Sequence, residues 1–225
     1  MNTFTDTFIL HNYFRSSTSY RARIALNLKG IKYKYVPVHL LKNGGEQHSA
    51  EYRKLNPQGE VPTLIHNGKA ISQSMAIVEY LEDIHPANPL FPKDPYMKAK
   101  VRQFCENINS FMHPLGNLKV MQKLEKDNAY TAEQKNAWIQ HWNTQGFQAL
   151  EEMLKEFSGR YCFGDQVTAA DAFLVPVIFA SNRFKVDLQN FPLCRKINEE
   201  CLKQKAFIDA HPFRQMDTPT EERIS

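Results

Sequence analysis

Between Phe14 and Gly30 the chain reads FRSSTSYRARIALNLKG. Three hydroxyl residues in a row, Ser16, Ser17 and Thr18, precede a stretch with helical periodicity, with Arg15 before them and Arg21 and Arg23 just after. Two readings suit such a stretch. A hydroxyl at a helix start caps the first backbone N–H groups, which have no partner within the helix. Alternatively, one of the hydroxyls acts on a ligand held at the positive end of that helix. Sulfur chemistry by the protein itself finds no support. Cys105, Cys162, Cys194 and Cys201 form neither a CxxC pair nor a metal-ligand spacing, so reduced, mostly buried thiols and no metal are expected.

The elements that must position these hydroxyls are legible nearby. TFILHNY at 7–13 has strand length, a helix is expected from about Ser19 to Lys29 with Gly30 as its stop, and YKYVPVHL at 33–40 reads as a second strand. A parallel pairing with a right-handed crossover follows for such a unit. A brief helix ends at Asn56-Pro57, and Asn67-Gly68 joins runs 61–66 and 69–73 as a hairpin. A helix over 75–85 follows Ser74, giving βαβα–ββα for the first 85 or so residues. The proline-rich PANPLFPKDPY reads as a linker, and later apolar residues recur at three- and four-residue intervals. The expected division is an α/β domain over 1–87, a linker over 88–96 and a helical domain over 97–225. Thr168 and Asp171 read as a capping box with Asp in the usual Glu position.

Composition narrows the function classes. A net charge of +4 on 225 residues, with basic residues dispersed among acidic ones, argues against nucleic acid. The longest apolar run, AFLVPVIFA, is about half a membrane span, and no secretory signal pattern opens the chain. A cytoplasmic protein without membrane or nucleic-acid partners is expected.

The order of elements, with a proline opening the hairpin at Val61-Pro62-Thr63, is the thioredoxin arrangement, and Pro62 has the right placement for a cis peptide bond. SSTSYRARIAL at 16–26 resembles the SSCxWRVRIAL signature of zeta-class glutathione transferases, the family that includes maleylacetoacetate isomerase. LNPQGEVPTL (55–64), QSMAIVEYLE (73–82), HPLGNL (113–118), YCFGDQVTAAD (161–171) and RFKVDL (183–188) match in the same order, so the resemblance covers nearly the whole chain. Thr18 departs from the family's Cys, and Tyr20 from its Trp.

The resemblance implies a thioredoxin-like domain followed by an all-helical one, glutathione as cofactor, and a homodimer whose first domain packs on the other subunit's helices near residues 97–120. It places Ser16 at the glutathione sulfur, with Ser17 and Thr18 in support and one of those two as the helix cap. The 16–21 motif as a whole, Ser19, Tyr20 and Arg21 included, belongs to the implied glutathione site. Gln47, Val61, Pro62, Gln73 and Ser74 would hold the peptide, Ser74 being either a γ-glutamyl contact or a plain cap. His113, Asn117, Leu118 and Lys119 complete the implied set, with His113 either a ligand contact or structural. Arg15 and Arg183 are the cations for substrate carboxylates; Arg21 is divided between that role and a structural one. The implied reaction is isomerisation of maleylacetoacetate to fumarylacetoacetate in tyrosine and phenylalanine breakdown, with glutathione transferase activity beside it. A maleylpyruvate isomerase, a dehalogenating transferase and a glutathione-binding protein without turnover are the alternatives.

Overall fold

Residues 6–224 are described in a computed structural model. Their contacts form two units: residues up to Asn88 together with those from Lys205 onward, and Pro89–Gln204.

In the first unit, β1 (Phe8–Asn12) lies at the centre of a four-stranded sheet, parallel to β2 (Lys34–Pro37) and antiparallel to β3 (Thr63–His66), which in turn pairs with β4 (Lys69–Ser72). The helix α1 (Ser17–Leu28) makes the parallel crossover, as expected, and starts two residues earlier than its periodicity suggests. The α2 helix (Ala50–Leu55) and α3 (Ser74–Ile84) complete the βαβα–ββα order. At the hairpin turn Asn67 and Gly68 take φ of 48° and 80°. Both are left-handed values, which Asn and Gly tolerate better than other residues.

The C-terminal segment packs in this first unit and not with the helices to which the sequence reading assigned it. Buried Arg23 is the physical reason. Its guanidinium donates to Ala210 O (3.0 Å), Asn12 Oδ1 (2.9 Å) and Phe14 O (3.1 Å), so a charge in the interior is surrounded by acceptors from the segment, the end of β1 and the β1–α1 loop. Asn27 adds a bond to Ala206 O at 3.0 Å.

The second unit is helical: α4 (Pro95–Glu106), α5 (His113–Leu115), α6 (Leu118–Asn128), α7 (Ala132–Phe157), α8 (Ala169–Arg183) and α9 (Pro192–Cys201). A last helix, α10 (Lys205–Ala210), belongs to the first unit. The end of the proline-rich stretch already starts α4, with Asp94 accepting from Met97 N–H at 2.8 Å and Pro95 in its first turn. Where Pro114 predicts a kink, α4 widens into a π-helical turn over Asn107–Met112 and the helix stops at Gly116. Proline has no N–H and crowds the carbonyl four residues back, and a widened turn absorbs both. All four cysteines are free and buried in this unit. Burial pushes the Cys162, Cys194 and Cys201 thiols up, which removes them as nucleophiles at neutral pH.

Candidate active site

Ser16 is the N-cap of α1. Its Oγ accepts from Ser19 N–H at 3.2 Å, so the expectation that Ser17 or Thr18 caps the helix is corrected. The cause lies just upstream: Ser16 N–H bonds to Tyr13 O at 3.1 Å and closes a turn that places Ser16 at the helix mouth. Thr18 points elsewhere. Its Oγ1 lies 2.8 Å from Ser16 Oγ and 2.9 Å from the Val61 carbonyl oxygen, which can only accept. All three hydroxyl residues are half-buried, within reach of a ligand.

Val61 follows a loop closed by side-chain hydrogen bonds. Glu60 O accepts from both Tyr52 Oη and Asn56 Nδ2 at 2.7 Å. Burial pushes the Tyr52 phenol up to about 12, so it keeps its proton and donates. The Val61–Pro62 peptide bond is cis. Val61 also packs with Tyr13, Phe14, Val38 and Tyr52, so the loop and the β1–α1 connection share one apolar cluster.

The residues assigned to the peptide end divide into two kinds. Ser74 is the first residue of α3 and buried; its Oγ accepts from Arg21 Nη1 at 3.3 Å. The N-cap position belongs to Gln73, not Ser74, so Ser74 is not a plain cap. Gln73 sits at φ 73°, a strained value for a side chain of its size, and its amide donates to Gln58 Oε1 at 2.7 Å. Gln47 is 6% exposed; its Nε2 reaches Leu40 O and His48, while its Oε1 is buried with no hydrogen-bond partner among the described residues.

Other placements revise the sequence reading. Ser19 and Tyr20 are wholly buried, with Ser19 Oγ accepting from Tyr13 N–H and Tyr20 Oη reaching Phe207 O. Neither side chain is open to a ligand. Arg21 is equally buried and stands behind Ser74, which favours its structural side over contact with a substrate. Arg15 is half-buried over the Phe14 ring and paired with Glu222. In the second unit, Asn117 caps α6 by accepting from Lys119 N–H and lies 3.4 Å from His113 Nε2, while Leu118 and Lys119 are exposed. Arg183 is exposed in the last turn of α8, with its guanidinium 5.6 Å from the Phe184 ring centre.

Sequence reasoning missed Glu222 and Asp217. The Asp217 carboxylate accepts from Phe14 N–H (3.0 Å) and from Tyr35 Oη, which holds the backbone next to Arg15. Contacts across 203 residues leave no local pattern to read.

The glutathione S-transferase N-terminal domain matches residues 10–89, and the C-terminal domain of the same family matches residues 136–195. Mouse maleylacetoacetate isomerase is 46% identical over 96% of this chain and 97% of its own length. The chain belongs to the zeta-class glutathione transferase and maleylacetoacetate isomerase family. Among solved structures of this class, a bacterial maleylpyruvate isomerase superposes with a TM-score of 0.91 at 39% identity, covering 94% of this chain and all of that one. Maleylacetoacetate isomerase from Methylobacterium extorquens AM1, solved with malonate and glutathione, gives 0.90 at 33% identity, with 94% and 100% covered.

Zeta-class transferases use glutathione, and the residues present here fit that tripeptide. A peptide brings amide N–H donors, and Gln47 Oε1 is a buried acceptor in want of one. A thiolate wants hydroxyl donors and a helix N-terminus, which Ser16 and α1 supply, and no acidic residue opposes it in the first turn of α1.

Proposed function

We propose that this protein is a glutathione-dependent cis–trans isomerase that converts maleylacetoacetate to fumarylacetoacetate in tyrosine and phenylalanine breakdown. One observation carries the reading: in a chain 46% identical to the mouse isomerase, the Ser16 hydroxyl caps α1 and is joined through Thr18 to the Val61 carbonyl. Glutathione, when bound, would supply the thiolate nucleophile that a cis–trans isomerisation of this kind needs. With glutathione bound, Ser16 would turn its hydroxyl from Thr18 to donate to the sulfur, and the α1 N-terminus favours the negative charge there. Val61 offers main-chain groups to the cysteinyl unit in the manner of strand addition. Ser74, Gln73 and Gln47 take the rest of the peptide, and Ser17 and Pro62 border it. Arg15 and, through the family resemblance, Arg183 would be the cations for substrate carboxylates, each able to make a bidentate contact. His113, Asn117, Leu118 and Lys119 enter this reading as ligand contacts through the family resemblance alone.

The similarity to a maleylpyruvate isomerase supports a second reading in which the substrate is that shorter diacid. Assaying both substrates with purified protein and glutathione separates the two. Ser16→Ala is expected to lower the rate more than Ser17→Ala; the reverse order would move the sulfur contact to Ser17.

The proposal includes a cytoplasmic homodimer, as the family resemblance implies. No helix among the described residues is long and apolar enough to cross a membrane. Sedimentation equilibrium at micromolar concentration should give twice the chain mass of 26.1 kDa, and a monomer there would refute the dimer.

A further inference from the structure

The hydroxyls at the α1 mouth have a fixed direction. Each carries one proton. Thr18 must spend its proton on Val61 O, because a carbonyl oxygen only accepts. The 2.8 Å contact between Thr18 Oγ1 and Ser16 Oγ therefore runs one way, with Ser16 donating and Thr18 accepting. Ser16 in turn accepts from Ser19 N–H. The chain of bonds reads Ser19 N–H to Ser16, Ser16 to Thr18, Thr18 to Val61. The one proton that Ser16 could give a sulfur is thus committed to its neighbour.

We infer that Thr18 is a positioning residue that holds the Ser16 proton in reserve and ties that reserve to the Val61 carbonyl. Resting on the reading of the site as a glutathione site, this gives Thr18 two opposed effects. It keeps Val61 placed for the cysteinyl unit, which aids binding of the peptide. It also competes with the sulfur for the Ser16 proton, because Ser16 must rotate away from Thr18 before it can donate elsewhere. A weak acceptor at position 18 leaves the Ser16 proton free, and a strong one retains it.

The two effects separate in Thr18→Val, which keeps the shape and removes the hydroxyl. The thiol of bound glutathione is titrated by its thiolate absorbance in the ultraviolet, and affinity for S-methylglutathione, which has no thiol proton, is measured by calorimetry. Thr18→Val is expected to lower the bound thiol pKa by about half a unit to one unit, the equivalent of one neutral hydrogen bond no longer broken. S-methylglutathione should bind more weakly to the same variant. Thr18→Ser, which retains donor and acceptor, should leave both quantities as in the wild type. In a Ser16→Ala background, Thr18→Val should no longer move the thiol pKa, because its effect passes through Ser16.

An unchanged or raised pKa in Thr18→Val, or the same shift with Ser16 absent, overturns the inference. Should Thr18→Val fail to fold, Thr18→Ala carries the same expectation. Wild-type protein that binds neither glutathione nor its S-methyl form would instead refute the reading of the site itself.

Discussion

Arg15 and Glu222, 207 residues apart in sequence, form an ion pair that occupies one of the two guanidinium groups assigned to substrate. A carboxylate of this chain thus sits where a substrate carboxylate is expected to bind. Both side chains are about a third exposed, so water and salt screen the pair. Such a pair is worth roughly 0.2–1 kcal/mol. Glu222→Gln should therefore lower KM for the diacid substrate by up to about fivefold, leaving KM for glutathione unchanged. Steady-state kinetics at low salt is the measurement. No change in the diacid KM would mean that Arg15 does not meet the substrate.

Gln47 yields a prediction about binding without turnover. Its buried Oε1 makes no bond among the described residues, whereas its Nε2 lies 3.4 Å from Leu40 O and 3.1 Å from His48 Nε2. Replacing it with Leu removes an unsatisfied acceptor along with those contacts, so stability should change by less than about 1 kcal/mol. Glutathione should bind about three- to tenfold more weakly, roughly 0.7–1.4 kcal/mol, if that oxygen accepts a peptide N–H. Calorimetric titration and a urea midpoint together decide it. Unaltered affinity would place the peptide away from Gln47.

The same contrast between local and distant partners explains what the sequence could reveal. The Asn67-Gly68 turn, the crossover through α1 and the cap residues Thr168 and Asp171 all rest on interactions within a few residues. Position-by-position reading works for them. Three successive hydroxyls at 16–18 were each acceptable as a cap by local rules. The choice depended on the turn to Tyr13 O and on a partner for Thr18 that lies 43 residues away. Tyr20 falls within the implied glutathione motif and Arg21 is divided between substrate and structure by local rules, yet contacts to Phe207 and Ser74 bury both. The strap formed by Asp217 and Glu222 was invisible for the same reason.

Asp171 gives a stability prediction that goes beyond its capping role. Its carboxylate accepts from Thr168 N–H (2.8 Å), from the Thr168 hydroxyl (3.1 Å) and from Cys162 N–H (2.8 Å), all buried. An ordinary cap is worth roughly 0.5–2 kcal/mol. Asp171→Ala leaves two buried N–H groups without their acceptor, so a loss of about 3–5 kcal/mol is expected in urea unfolding. Asp171→Asn keeps an oxygen acceptor and should lose less. A loss for Asp171→Ala below about 2 kcal/mol would mean that Cys162 N–H finds another partner.

Thr18→Cys asks whether the side chain at position 18 takes part in the chemistry. If glutathione alone brings the sulfur, wild-type protein should isomerise maleylacetoacetate with Thr18 in place. A cysteine there is a poorer acceptor for the Ser16 proton and a poorer donor to Val61 O, so its effects on thiolate formation and on peptide placement oppose each other. The turnover rate should then change by less than about tenfold, roughly 1.4 kcal/mol of barrier. Rates for both proteins under saturating glutathione are the measurement. Wild-type protein inactive on this substrate, with Thr18→Cys restoring turnover by orders of magnitude, would put residue 18 in the reaction itself. The natural substrate of this chain would then be a different electrophile, one whose conversion needs no thiol from position 18.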